Sequence, residues 1–317
     1  MRYWLIPLAV VVFIVLFVLA LSYAIFLKIF YASRQKPKVV EEYPIPPGDV
    51  YRPHREQMIK WIDEVRSMEH TDVSIKSHDG LCLTGRYYEY KKGAPTEILF
   101  HGYRGTAERD LCGGVYRCFN IGHNALIVDH RAAGGSEGHV ISFGANESLD
   151  CARWVNFVIS NIDRDAKIIL TGISMGAATV MTAAGRELPE NVIGILADCG
   201  YTSAREIIRK VIREMKLPDG IFYPFVKLGA RIFGGFDLEE TSPIEAVSKT
   251  NIPIIFVHGD NDDFVPYDMS VRLHEACASE KKALITIPGA GHGLAYPVDK
   301  DGYVNKLLKI NEDWNLN

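Results

Sequence analysis

A serine held between two glycines is the first candidate for chemistry in this sequence. The motif Gly172-Ile173-Ser174-Met175-Gly176 follows the apolar run Ile168–Leu170 and precedes small residues that open a helical segment. This order predicts a strand, a sharp turn and a helix, with the serine hydroxyl at the apex of the turn. The glycines let the strand and the helix approach closely, and the first N–H groups of the helix point at the same place. We therefore predict that Ser174 is a nucleophile.

A histidine late in the sequence is suited to activate that serine. A serine hydroxyl is a poor nucleophile at neutral pH and requires a base, a carboxylate that orients the base, and N–H donors for the oxyanion. His292 lies in the loop Gly289–Gly293, directly after the last predicted strand. We predict that His292 is the base, whereas His258 ends a strand and is expected to make a structural hydrogen bond.

Three aspartates in one loop are candidates for orienting the base. The loop His258–Pro266 follows the penultimate predicted strand and contains Asp260, Asp262 and Asp263, and their spacing alone does not choose among them. A calcium loop of the EF-hand type is excluded, because positions six and twelve counted from Asp260 are valines where glycine and glutamate would be needed. We therefore expect a carboxylate for the base and no metal site.

Two backbone N–H groups are candidates for stabilising an oxyanion. One belongs to Met175, the residue after the serine. The other belongs to Tyr103 in the loop His101–Gly105, which follows an early predicted strand. Two glycines in that loop suit a backbone that turns sharply with its donors pointing inward.

An alternation of strands and helices must position these residues. Asp79-Gly80 lies between two strand-like runs and predicts a hairpin. From Glu97 onward, short apolar strands alternate with helical segments, which predicts an α/β fold with a mostly parallel sheet and helices on both faces. Because the candidate residues follow strand ends, they should meet at the carboxyl edge of the sheet.

One segment, Tyr201–Lys249, departs from this alternation. It spans 49 residues between two predicted strands and contains two amphipathic pieces with several aromatic residues. An insertion at the carboxyl end of a parallel sheet lies over the ligand site, so we expect a helical cap that determines the substrate. The alternative is a helical pair packed away from the site.

The N-terminal region predicts a membrane anchor. Trp4–Leu27 is an apolar run of 24 residues, long enough to cross a hydrocarbon core of about 30 Å. Ser22-Tyr23-Ala24 fits a signal-cleavage site, but the run exceeds the usual h-region of about 7–15 residues, so an uncleaved span is favoured. Basic residues after the run outnumber those before it, which favours a single-pass protein of the cell membrane with a cytoplasmic body.

The chain is thus divided into three parts by its sequence. Residues 1–33 form the predicted transmembrane anchor, and the proline-rich residues 34–50 form an extended linker that holds the domain off the membrane. Residues 51–317 form the catalytic domain, which opens with a short amphipathic helix over Arg55–Met68.

Composition narrows the possible partners. The net charge of −4 gives no indication of a nucleic-acid partner. None of the six cysteines has the C-x-x-C spacing of zinc or redox sites, so we expect mostly buried free thiols and a reducing compartment. No cofactor is expected, and no feature indicates a particular protein partner.

Together these motifs resemble the α/β-hydrolase superfamily. The elbow at residues 172–176, the His101-Gly102 loop and the late Gly-His-Gly carry the resemblance, in the chain order nucleophile, acid, histidine. Asp129–Gly138 and His258–Pro266 are similar to segments of bacterial prolyl-oligopeptidase-like and bem46-like esterases. In the family pattern H-G-x-x-D-x-x-V-P the aspartate matches Asp262, so the resemblance implies that Asp262 orients His292. Ala132 and Ala133 depart from the family pattern at the floor of the cleft.

The expected function is hydrolysis of an acyl ester by a Ser-His-Asp triad through an acyl-enzyme. A small-molecule ester with a short or medium acyl chain is favoured. A serine peptidase and a thioesterase of the same fold are the alternatives, as is an enzyme that draws acyl chains from the bilayer. A hydrolase-fold module that binds without catalysis is the remaining hypothesis.

Overall fold

A single mostly parallel sheet forms the centre of the part of the chain that the computed structural model describes, residues 5–32 and 43–316. Its strands are β1 (Thr71–Lys76), β2 (Cys82–Tyr88), β3 (Thr96–Phe100), β4 (Asn124–Val128), β5 (Ile168–Ile173), β6 (Val192–Asp198), β7 (Ile254–Gly259) and β8 (Lys282–Ile287). They lie in the order β1-β2-β4-β3-β5-β6-β7-β8. β1 pairs antiparallel with β2, and β2 with β4, whereas the remaining neighbours are parallel. The predicted hairpin and parallel sheet are therefore confirmed.

Helices cover both faces of this sheet. The helices of the described residues are α1 (Leu5–Ile29), α2 (Arg55–Ser67), α3 (Ala107–Asn120), α4 (Ala145–Asn161), α5 (Met175–Ala184), α6 (Ala204–Glu214), α7 (Asp219–Gly229), α8 (Pro243–Val247), α9 (Tyr267–Ala276), α10 (Ala295–Val298) and α11 (Lys300–Trp314), of which α1, α6 and α7 lie away from the sheet. Every residue of β3 is buried. Ile98 and Phe100 enter the core beneath α4 and α5, whereas Leu99 enters the core beneath α2, α3 and α11. Burial on both faces explains why these strands are continuous apolar runs.

A buried ionic cluster fixes β3 against its neighbours. Glu97 on β3 accepts hydrogen bonds from Arg117 on α3 at 3.1 Å and from Thr171 on β5 at 2.6 Å. His123 lies 2.9 Å from the same carboxylate. Burial alone would raise the pKa of Glu97, but the Arg117 guanidinium outweighs this and holds the pKa well below its usual range. The charged pair is therefore retained in a core that would not tolerate an unpaired carboxylate.

The end of α1 packs directly on the domain. Residues Ile6–Ile29 are long and apolar enough to cross a membrane. The side chains of Phe26 and Phe30 near the end of α1 are nevertheless buried in the body. The Phe30 ring lies 5.7 Å from Phe143 and 5.3 Å from Phe236, centroid to centroid. The last turn of the helix is therefore part of a third hydrophobic core.

The segment predicted to be an extended linker, residues 34–50, is described only from residue 43 onward. The backbone continues past α1 against the body, where Ala32 N–H donates to the His139 carbonyl at 2.8 Å. Residues 33–42 lie outside the described part of the chain. Pro46, Pro47 and Val50 line a cleft of the domain, so the described end of the predicted linker also lies against the body. Apolar contacts made by the helix end leave no gap between α1 and the domain.

Within the insertion between β6 and β7, α7 and the turn that follows it pack on α1. The insertion contains α6, α7, a π-helical turn over Ala230–Gly234, a 3-10 turn over Leu238–Glu240, and α8. Gly229 approaches the Ser22 carbonyl so closely that a Cβ there would lie 2.6 Å from it. The ring of Phe233 lies 4.9 Å from that of Tyr23. The predicted amphipathic helices are present. α7 packs on the N-terminal helix, whereas Ile207 and Ile208 of α6 belong to the core that also contains Met175 and Val265.

Candidate active site

The turn between β5 and α5 holds Ser174 in a strained conformation. Its φ is +57° and its ψ is −115°, in a region that side chains other than glycine rarely adopt. The turn is possible only with its glycines, because a Cβ at Gly172 would lie 2.2 Å from the Gly176 backbone. A Cβ at Gly176 would lie 2.0 Å from the Phe100 carbonyl. The chain thus places a serine side chain at the carboxyl edge of the sheet, directly before the first turn of α5.

Ser174, His292 and Asp262 form a chain of hydrogen bonds. The Ser174 Oγ lies 2.9 Å from His292 Nε2. The other ring nitrogen of His292, Nδ1, lies 2.7 Å from Asp262 Oδ2. With the proton of the neutral ring on Nδ1, the carboxylate accepts from His292 and the serine hydroxyl donates to Nε2. The structure brings together three residues that are 118 and 30 positions apart in the sequence.

Asp262 is held as a carboxylate by its surroundings. Its Oδ1 accepts hydrogen bonds from the N–H groups of Phe264 at 2.9 Å and Val265 at 2.8 Å. Burial would raise the pKa of Asp262, but hydrogen bonds from His258 and His292 outweigh it and keep the pKa well below its usual range. The other two aspartates of the loop are exposed, and Asp260 accepts from the Gly289 N–H instead.

His258, at the end of β7, contacts the same carboxylate as His292. Its Nε2 lies 3.1 Å from the Asp262 carboxylate and 2.9 Å from the Val265 carbonyl. Its Nδ1 lies 2.6 Å from the Ser270 hydroxyl. The expected structural hydrogen bond is present, and its partner is the carboxylate that contacts His292. The spacing His258 to Asp262 in the loop is the sequence signal that links them.

The two predicted oxyanion donors lie in the turn of the serine and in the loop against it. Met175 is the first residue of α5, directly after Ser174, and Tyr103 follows Gly102. Gly102 lies against the serine, since a Cβ there would be 3.6 Å from Ser174 Cβ. The Gly102 N–H itself donates to Asp110 Oδ2 at 3.1 Å, which fixes the loop. The structure thus places both sequence-predicted donors beside the Ser174 turn.

The loop that carries Tyr103 is tied to the N-terminal helix. The Tyr103 hydroxyl donates to the Ile29 carbonyl at 2.6 Å. Arg104 donates to the carbonyls of Lys28 and Tyr31, each at 3.0 Å. Arg104 has a φ of +53°, which is rare for a residue other than glycine and is held here by these bonds. Sequence reasoning missed these contacts, because nothing local in either segment indicates the other.

An open cleft of about 540 Å³ adjoins the serine and the histidine. Its wall comes from the N-terminal segment and three loops, with Pro46, Pro47, Val50, Tyr51, Met58, Tyr103, Arg104, Ile173, Asp263 and Phe264 among its lining residues. The Tyr51 hydroxyl donates to the His292 carbonyl at 3.1 Å, and burial raises the pKa of Tyr51 to about 12. The Phe264 ring lies 5.0 Å from the His292 ring. Both aromatic residues thus flank the loop of the histidine.

The predicted helical insertion Tyr201–Lys249 is present between β6 and β7. No residue of Tyr201–Lys249 lines the cleft in the described part of the chain. The Phe233 ring of the insertion packs on α1, whereas the Tyr223 ring lies beside Arg205 and Arg209 of α6. The cleft is covered instead by the segment before and within α2.

Two groups of side chains have the composition of metal ligands, but their members form hydrogen bonds and ion pairs within the protein. Cys199, Asp262 and His292 bring ligand atoms within 4.8 Å of one another. Burial raises the pKa of the Cys199 thiol well above its usual range, and the other two residues already bond each other. The second group, His78, Asp79 and Asp150, surrounds Arg131, which pairs with both carboxylates. In the first group Asp262 and His292 are therefore occupied by each other, and in the second the guanidinium of Arg131 already supplies a positive charge to both carboxylates.

The sequence model of the prolyl oligopeptidase family matches residues 142–310, more than half of the 317 residues of the chain. The chain belongs to the prolyl oligopeptidase family. The matched part contains Ser174, Asp262 and His292, and ends within α11. This family member is therefore a hydrolase of the α/β-hydrolase superfamily, as its motifs indicate.

Curated relatives and solved structures agree with this family assignment. The uncharacterized protein YqkD of Bacillus subtilis is 26% identical over 254 residues, which cover 80% of this chain and 83% of that protein. Protein bem46 of Schizosaccharomyces pombe is 23% identical over 233 residues, covering 71% and 72%. The esterase Pf2001 of Pyrococcus furiosus superposes with a TM-score of 0.64 at 21% identity, covering 79% of this chain and 93% of its own. The predicted α/β-hydrolase fold is therefore confirmed.

Proposed function

We propose that this protein is a serine hydrolase that cleaves carboxylic esters through an acyl-enzyme. The observation that carries the proposal is the chain of hydrogen bonds from Ser174 to His292 to Asp262, which begins at a strained turn. A nucleophile, a base and an orienting carboxylate in this geometry are the requirements for attack on an acyl carbonyl.

The proposed reaction begins with proton transfer from Ser174 to His292. The serine oxygen then attacks the acyl carbonyl, and Asp262 stabilises the imidazolium that forms. The N–H groups of Met175 and Tyr103 bind the oxyanion, and loss of such a donor costs about 3–4 kcal/mol in transition-state stabilisation. His292 returns its proton to the leaving alcohol, and water then hydrolyses the acyl-enzyme with His292 again as the base.

The lining of the cleft favours an ester substrate with an apolar acyl or alcohol group. Val50, Met58, Ile173 and Phe264 supply apolar surface close to the serine, and the volume of about 540 Å³ is in the range of small-molecule sites. A structural neighbour named as an esterase favours ester over amide substrates. The family name keeps a peptidase as the second candidate, and a thioesterase would use the same residues.

We also propose that α1 stays attached as a membrane anchor. Cleavage after Ala24 would end the helix within its contact with the insertion, since Ser22, Tyr23 and Phe26 all touch that segment. The proposed organisation is thus an anchor over residues 1–33 with the hydrolase domain over 51–317 docked on its end. The charge bias around the span favours a cytoplasmic domain.

A panel of esters, amides and thioesters with graded acyl chains tests the proposal on the full chain in detergent. We expect turnover of esters, and its loss in Ser174→Ala. The exposed Ser248 bonds only within its own helical turn, so Ser248→Ala is the matched control and should keep full activity. Amide turnover exceeding ester turnover would favour the peptidase. Turnover of no substrate by the folded chain would favour a binding module.

A further inference from the structure

The packing of α7 on α1 fixes where the insertion lies along the apolar helix. The contacts of the π-helical turn and of the end of α7 fall on Ser22, Tyr23 and Phe26. α1 spans 25 residues, and a hydrocarbon core of about 30 Å needs about 20 of them. When the apolar start of α1 occupies the core, Ser22–Phe26 lie at its boundary with the headgroups. The segment of the insertion that touches these residues must lie at the same depth.

The insertion presents an apolar stripe beside this contact. Phe222, Val226, Gly229 and Phe233 recur at helical spacing and belong to the side that packs toward α1. One position before each of them stand Ile221, Phe225, Leu228 and Ile232, which form the outer stripe. Ile221 is 61% exposed and Ile232 is 50% exposed, whereas Phe225 and Leu228 are half-buried. Within the described residues, no element of the chain covers the exposed ends of this stripe.

One cationic side chain lies beside the outer stripe and another lies near the end of α1. Arg231 is exposed and adjoins Ile232, and Lys28 is exposed in the last turn of α1. Neither side chain forms an ion pair within the described residues. An apolar stripe with adjoining cations is the pattern of elements that lie in the interface of a bilayer, where carbon side chains enter the acyl boundary and cations meet phosphates.

We propose that the outer stripe of α7 and the π-helical turn is a membrane-contact surface, seated in the leaflet that the end of α1 crosses. The occupant is the lipid bilayer, because the stripe is continuous with a helix that has the length and composition of a span. The insertion then acts as a second attachment that sets the orientation of the domain. Arg104 lines the cleft and bonds the carbonyls of Lys28 and Tyr31, so one wall of the cleft lies at the end of the membrane helix.

Depth-dependent quenching on the full chain tests this surface. Five of the six cysteines are buried and Cys82 is intermediate, so Cys82→Ser gives a background in which an introduced exposed cysteine takes the label. Ile232→Cys carries an NBD fluorophore at the proposed contact. Tyr90→Cys is the matched control, because Tyr90 is 49% exposed and follows β2, whose last residue pairs with Ala125 at the start of β4. It therefore lies at the edge of the sheet opposite the cleft.

Both labelled proteins are reconstituted in phosphatidylcholine nanodiscs with and without doxyl-labelled lipid. We expect blue-shifted emission and at least about twofold quenching at position 232, against little quenching at position 90, because interfacial side chains enter the acyl boundary by about 5–10 Å. Equal emission and quenching at the two positions would overturn the proposal. Melting temperatures show that both variants are folded, and Ile221→Cys replaces Ile232→Cys if the latter is not. The readout needs no turnover, so it is independent of the proposed hydrolase function.

Discussion

The hydroxyl of Tyr103 donates a 2.6 Å hydrogen bond to the main-chain carbonyl of Ile29, and this bond joins the proposed oxyanion loop to the last turn of the apolar N-terminal helix. The apolar N-terminal helix of this hydrolase is therefore part of the architecture of its candidate site. Phe30, the next residue, is fully buried against the domain. Displacing the end of α1 would move the loop that carries one of the two proposed oxyanion donors.

Tyr103→Phe removes this bond while keeping the ring and the backbone N–H. We expect kcat for a good ester to fall about fivefold with KM nearly unchanged, because a hydrogen bond of this kind contributes about 1 kcal/mol. A boronic acid that mimics the oxyanion should lose affinity by a similar factor. Steady-state kinetics and inhibitor titration measure both quantities, with Tyr90→Phe as the control on the opposite edge. Unchanged inhibitor affinity in Tyr103→Phe would show that the bond does not position the donor.

Asp262→Asn tests the orientation of the base. The substitution keeps the size of the side chain but removes the charge that stabilises the imidazolium, so we expect kcat to fall about 10³- to 10⁴-fold. Asp263→Asn changes an exposed neighbour in the same loop and should leave kcat within about twofold. Single-turnover acylation rates separate this effect from product release. Equal losses in the two variants would contradict the assignment of Asp262.

The buried carboxyl of Asp198 predicts a pH dependence of stability. Burial raises its pKa to about 6 from 3.8, and only one of its oxygens has a partner, the Tyr303 hydroxyl at 3.2 Å. Because the folded-state pKa lies above the unfolded value, this group contributes stability below pH 4 that is lost as the pH rises through 6. The free energy of unfolding of Asp198→Asn, relative to that of the wild type, should therefore be about 2–3 kcal/mol higher at pH 8 than at pH 4. Denaturant titrations at both pH values measure this gain, and parallel profiles would contradict it.

The lining of the cleft predicts which segment sets substrate preference. Met58 on α2 lines the cleft, whereas Ile221 on α7 does not. Met58→Ala should lower kcat/KM for medium-chain esters about tenfold while leaving acetate esters nearly unchanged, because each lost methylene contact costs about 1 kcal/mol. Ile221→Ala should not alter chain-length preference with water-soluble esters. A shift in preference caused by Ile221→Ala alone would restore the insertion as the specificity element.

Local patterns predicted the sheet and indicated the candidate residues that the structure brings together, because each of these features depends on short-range chemistry. The turn at Ser174 requires glycines at both flanks, and the position of His292 after the last strand follows from the strand order. The choice of Asp262 needed the family resemblance, since three aspartates share one loop. Only the folded chain shows that His258 contacts the same carboxylate.

The partner of the insertion could not be predicted in this way. Amphipathic spacing in Tyr201–Lys249 shows that one face is buried, but it does not show what covers that face. Phe233 lies against Tyr23, more than two hundred positions earlier in the chain. The apolar helix α1 packs on α7 and on the Phe233 ring of the insertion. The cleft is walled by the segment that leads into α2.

Intact-protein mass spectrometry after treatment with a fluorophosphonate is the most direct test of Ser174 as the nucleophile. We expect the wild type to gain the mass of one adduct, with the modified residue mapped to Ser174 in the peptide that spans the elbow. Ser174→Ala should gain no mass, and Ser248→Ala should react as the wild type does. An adduct that persists in folded Ser174→Ala would contradict the account.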